Sequence, residues 1–125
     1  MNHADETIVI VEDEQDAADM FAEMMRVSGF RVLKASGSSP AMQMISQEEP
    51  SAVILDIMMP DISGLEVLKY MRSEPKLAHI PVVVVSAKSL SSDIKIGLDA
   101  GASVYLTKPV GFRELKEAVE KVIAK

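Results

Sequence analysis

Short apolar runs alternate along the chain with longer segments of helical period. The runs are Ile8 to Val11, Val32 to Ala35, Ala52 to Leu55, Val82 to Val85 and Val104 to Leu106. Most are rich in Val and Ile and nearly unbroken, the pattern of strands buried on both faces of a parallel sheet. Arg31 and Lys34 bring charge to the second run and make it an edge strand. Between the runs, apolar residues recur at spacings of three and four, the signature of a helix with one buried face. Ala17, Phe21, Met24 and Met25 form the first stripe, Leu65, Leu68 and Met71 the third, and Phe112, Leu115, Val119 and Val122 the last. For the second helix, Ser39 reads as the N-cap with Pro40 in the first turn, and Glu49-Pro50 stops it before the next strand. A weaker fourth helix is predicted from about Ser92 through Leu98, ending near Gly101. Strands and helices alternating through short turns imply right-handed crossovers and a doubly wound five-stranded parallel α/β sheet with strand order 2-1-3-4-5, flanked by five helices.

The length of 125 residues suits one domain, 1–125. With 48% apolar and 26% charged residues, the composition is that of a chain that folds by itself. A net charge of -6 disfavours contact with nucleic-acid phosphates and anionic lipids, so neither direct nucleic-acid binding nor membrane association is expected. The absence of cysteine excludes disulfides and thiolate metal sites. Asp5 and Glu6 stand where a signal peptide would be basic and then apolar, and no run approaches membrane-spanning length. A cytoplasmic location is the resulting expectation. The nine methionines read as gap-filling core residues rather than a flexible binding surface, because many fall at core-facing helical positions.

Open parallel sheets bind ligands beyond the carboxyl ends of their strands. Glu12 and Asp13 follow the first run, Asp56 the third, Ser86 the fourth, and Lys108 comes shortly after the fifth. In the predicted order the first and third strands are neighbours, so Glu12, Asp13 and Asp56 should converge on one rim. Adjacent like charges oppose one another's ionisation, and a divalent cation is the natural counter-charge. An oxygen-only donor set favours magnesium over zinc. With Lys108 as a second positive charge and Ser86 as a hydroxyl donor, the set suits phosphoryl transfer to a carboxylate nucleophile. Taken singly, each residue has a plainer role as a turn, cap or solvated loop residue. Their joint arrival at one rim favours chemistry.

Four motifs carry a resemblance: Val-Glu-Asp-Glu at 11 to 14, Leu-Asp-Ile-Met-Met-Pro-Asp-Ile-Ser-Gly at 55 to 64, Val-Ser-Ala at 85 to 87, and Tyr-Leu-Thr-Lys-Pro at 105 to 109. In order and spacing, the chain resembles the receiver domains of two-component response regulators, which share the flavodoxin-like fold, over essentially its whole length. The resemblance implies that Asp56 accepts a phosphoryl group from a phosphohistidine on a sensor histidine kinase or histidine phosphotransfer protein, or from a small acyl phosphate. It implies magnesium held by Asp13, Asp56 and the backbone carbonyl of Met58, with Glu12 acting through bound water. Lys108 would pair with Asp56 and then with the phosphoryl group. Lys108-Pro109 would be a cis peptide, and Ser86 and Tyr105 the switch pair that remodels the face of the fourth helix, fifth strand and fifth helix. Such a domain is regulatory, not an enzyme acting on a separate substrate, although it assists its own phosphorylation and dephosphorylation. Glu12 replaces the more frequent Asp, Val110 stands where an aromatic often follows Lys-Pro, and bulky Met58 is expected to slow self-dephosphorylation.

Other readings fit less well. A haloacid-dehalogenase-type phosphatase would want a second Asp where Met58 stands. A flavodoxin-like flavin binder would need a phosphate cradle where Glu12, Asp13 and Glu14 are acidic, and no Walker loop is present. The runner-up is a receiver-like interaction module that works without phosphorylation. The last predicted helix runs to the end of the sequence. This leaves open both a stand-alone regulator with a protein target and a receiver serving an output domain. Dimerisation linked to phosphorylation also stays open.

Overall fold

The computed structural model describes residues 3–58 and 63–124. Its strands are β1 (Thr7–Val11), β2 (Arg31–Ala35), β3 (Ala52–Leu55), β4 (Val82–Ser86) and β5 (Val104–Thr107). The helices are α1 (Gln15–Val27), α2 (Ser38–Glu48), α3 (Gly64–Ser73), α4 (Ser91–Asp99) and α5 (Phe112–Ile123). All strand pairs are parallel, in the order β2-β1-β3-β4-β5.

The unbroken apolar runs follow from burial of both sheet faces. Ile8, Ile10, Ile54, Val83 and Val85 point to one side and pack with Phe21 and Met25 of α1 and Leu115 and Val119 of α5. Val9, Val11, Val53, Leu55 and Val84 point to the other and pack with Ile45 of α2 and Leu68 and Met71 of α3. Each large apolar side chain removed from water contributes about 1.5–3 kcal/mol, so the three central strands are the main apolar store. At the sheet edges, β5 is half-buried throughout, and β2 exposes Arg31 and Lys34 while half-burying Val32 and Leu33.

Local sequence sets the helix ends. Glu14 caps α1, accepting from the backbone N–H of Asp16 (3.2 Å) and Ala17 (2.8 Å). Two expectations need correction. The N-cap of α2 is Gly37, not Ser39: its φ of 116° turns the chain into the helix at Ser38, leaving Ser39 and Pro40 exposed within the first turn. Phe112 is not part of the core stripe of α5. As the first residue of that helix it is 40% exposed, and it borders a surface hollow shared with Met20, Met24 and Val27 of α1. Among the methionines, Met25 and Met71 are buried and Met24, Met42 and Met44 line the cores, whereas Met20 and Met58 are exposed.

Candidate functional site

The register of the central strands builds the site. Val11 of β1 pairs with Leu55 of β3, so the residues that follow, Glu12 and Asp56, leave the sheet side by side. The Asp56 N–H donates to the Val11 carbonyl at 3.0 Å, which extends the pairing to the site itself. Asp13 lies one step beyond Glu12 and is exposed, while Glu12 and Asp56 are buried. One carboxylate oxygen from each of the three lies within 4.8 Å of the others.

Lys108 reaches this cluster from the end of β5. Its Nζ donates to Glu12 Oε1 at 2.9 Å and to Asp56 Oδ2 at 3.3 Å. The remaining oxygens meet backbone donors: Glu12 Oε2 accepts from Glu14 N–H at 3.2 Å, and Asp56 Oδ1 from Met58 N–H at 2.9 Å. Burial pushes the Glu12 carboxyl above the usual range and Asp56 pushes it further, against the pull of Lys108. For Lys108, burial favours the neutral amine but the two carboxylates outweigh it, and its pKa is raised. The site therefore holds one ammonium among three carboxyl groups, a cation-seeking arrangement.

Ser86 ends β4 fully buried, and its Oγ accepts from Lys88 N–H at 3.1 Å. Its carbonyl accepts from Lys108 N–H at 2.8 Å, which ties the lysine's backbone to β4. Tyr105 pairs with Val84 across the two strands, so its side chain leaves the sheet on the same face as those of Val84 and Ser86. The Tyr105 hydroxyl donates to the Lys88 carbonyl at 2.8 Å. The Lys108-Pro109 peptide is cis. Of the long motif around Asp56, Met59, Pro60, Asp61 and Ile62 lie outside the described residues.

The sequence alone gave no role to Gly64. A Cβ there would stand 2.5 Å from the Asp56 carbonyl oxygen and 2.5 Å from Ile57 Cα. The start of α3 thus packs backbone to backbone under the Asp56 loop, and only glycine allows it. Lys88, whose carbonyl meets Tyr105, was likewise invisible as a bonding partner. Backbone acceptors leave no mark in side-chain chemistry.

Residues 8–120 match the family model of the response regulator receiver domain. The chain belongs to that family. This receiver is 33% identical over 117 residues to the transcriptional regulatory protein GltR of Pseudomonas aeruginosa, a match covering 94% of this chain and 48% of GltR. It is 26% identical to the polar-differentiation response regulator DivK of Brucella ovis, covering 94% of this chain and 95% of DivK. The chain thus spans about half the length of GltR and nearly all of DivK. Among solved structures, a response regulator from Chloroflexus aurantiacus superposes with a TM-score of 0.92 at 32% identity, over 96% of this chain and 98% of that one. The chain is therefore a receiver domain of the two-component type, a regulatory signalling module. No described helix of this receiver is long and apolar enough to cross a membrane.

Proposed function

We propose that this receiver works as a phosphoacceptor switch, with Asp56 as the nucleophile. The observation that carries the reading is the meeting of Glu12, Asp13 and Asp56 within 4.8 Å, with Lys108 bonded to two of them. The donor is a phosphohistidine on a sensor histidine kinase or histidine phosphotransfer protein, or a small acyl phosphate. An Asp56 carboxylate oxygen forms the new O–P bond as the P–N bond breaks. The leaving imidazole nitrogen keeps that electron pair and takes a proton from water.

The donor set fits a hard divalent cation: every side-chain ligand is a carboxylate oxygen, and two of the three carboxylates are buried against one ammonium. Asp13, Asp56 and the Met58 carbonyl would hold magnesium, with Glu12 acting through a bound water. When bound, magnesium neutralises charge on the phosphoryl oxygens. Lys108 offers a mobile ammonium that can leave Asp56 for the phosphoryl group while remaining paired with Glu12. Ser86 supplies a hydroxyl that can turn from the Lys88 N–H toward a phosphoryl oxygen. Tyr105, bonded to the same Lys88, responds to that turn, and the face made by α4, β5 and α5 carries the change to a downstream protein or output domain. Bulky Met58 next to the acceptor retards hydrolysis of the aspartyl phosphate.

Intact-protein mass after incubation with magnesium and acetyl phosphate tests the reading. The parent should gain one phosphoryl group, and Asp56→Asn or the parent in excess chelator should gain none. A gain that survives Asp56→Asn would move the acceptor elsewhere. No gain by folded, magnesium-loaded parent from either acetyl phosphate or a phosphohistidine donor would leave an interaction module that works without phosphorylation.

A further inference from the structure

Helix α4 is held to the molecule by little apolar burial. Gly97 is its one buried residue, whereas Ile96 and Leu98 are 53% and 44% exposed. Its N-cap, Leu90, makes no side-chain capping bond and is itself exposed. Beneath Gly97 lies the ring of Tyr105. A Cβ added at position 97 would stand 2.8 Å from Tyr105 Cδ2 and 2.9 Å from Cε2. Carbon atoms pack at about 3.5–4.0 Å, so ring and methyl group exclude one another. The ring is held at its far end by the hydroxyl bond to Lys88, 2.8 Å long.

The other end of α4 is fixed independently. The Gly101 carbonyl accepts from Arg72 Nε at 3.0 Å and Nη2 at 2.8 Å, and Arg72 Nη1 donates to the Ile80 carbonyl at 2.7 Å. Gly101 has a φ of 114°, and the Arg72 side chain occupies the space its Cβ would need, 2.7 Å from Cγ. The helix is therefore clamped at its carboxyl end and seated at its middle on one aromatic ring.

We propose that Gly97 is a positioning residue that couples α4 to Tyr105: the ring seats the helix through the gap at position 97, while the Arg72–Gly101 bonds fix its carboxyl end, so that a side chain at position 97 must loosen the helix or displace the ring. What moves the ring rests on the phosphoacceptor reading above, but the coupling itself does not.

Amide hydrogen exchange across residues 92–99 tests it, measured in metal-free, unphosphorylated parent, Gly97→Ala, Tyr105→Ala and the double variant. Alanine favours helix over glycine by an amount that slows exchange about fivefold where nothing opposes it. The Tyr105→Ala background should show that slowing when Gly97→Ala is added. With the ring in place the same substitution should speed exchange severalfold, so the sign of its effect reverses. An effect of the same sign in both backgrounds would overturn the proposal. Should Tyr105→Ala fail to fold, Gly97→Ala alone decides: faster exchange than in the parent or a changed Tyr105 rotamer by NMR supports the coupling, and slower exchange with an unchanged rotamer refutes it. Failure of the phosphoacceptor reading would register instead in the mass experiment on the parent.

Discussion

At Asp56 the fold crowds like charges together. Glu12 and Asp56 are buried beside each other with Lys108 as their shared cation, and Asp13 adds a third carboxylate within reach. Removing one member of an ordinary buried ion pair destabilises a protein, because the other charge is left alone. Here Asp56→Asn leaves Lys108 still paired with Glu12 and removes a like charge. We therefore expect this substitution to raise the melting temperature in metal-free buffer by about 2–5 °C, on the order of 1 kcal/mol. Added magnesium should narrow the gap by stabilising the parent more than the variant. A fall in metal-free melting temperature would show that the Asp56–Lys108 bond outweighs the repulsion. Glu12, Asp13, Asp56 and Lys108 were legible in the sequence because each stands just beyond the end of an apolar run. Gly64 and Gly97 were not, since a glycine's value here is the backbone or ring that occupies its missing side chain's place.

Strand and helix identities followed from period and burial, but element ends depended on backbone geometry. Ser39-Pro40 has the chemistry of a helix start, yet the positive φ of Gly37 begins α2 earlier. The segment before β1 gave no signal at all. His3 nevertheless fastens it to the fold: Nδ1 meets Glu6, Nε2 meets Glu120 of α5 at 3.0 Å, and the ring stacks on Phe30 with centroids 4.1 Å apart. The bond to Glu6 raises the His3 pKa, burial opposes it, and Glu120, itself bonded to Lys116, raises it further. Because the folded pKa lies above the unfolded one, the latch contributes fully below the unfolded value of about 6.5 and is lost as pH rises through the folded value. The melting-temperature difference between the parent and His3→Gln should therefore be larger at pH 6 than at pH 9. A difference that is flat, or that grows with pH, would contradict the charged latch.

Over the whole molecule, apolar and chemical duties fall in different places. Two cores on either side of β1, β3 and β4 hold the fold, while every candidate chemical group stands at or beyond a strand's carboxyl end. Strand order was legible because right-handed crossovers leave few arrangements of five such units. Ser86 and Tyr105 were expected as a pair from the family motifs, but the contacts of Tyr105 with Lys88 and Gly97 were not, because they run through a backbone carbonyl and a ring packed against a missing side chain. The central claim is that Asp56 itself takes the phosphoryl group. It is tested most directly by reacting the protein with acetyl phosphate and magnesium, trapping with borohydride, which reduces an aspartyl phosphate to homoserine, and sequencing the peptides by mass spectrometry. We expect homoserine at position 56, and only when magnesium is present. An unmodified Asp56 in protein that has gained a phosphoryl group, or reduction at Asp13 in its place, would contradict the account.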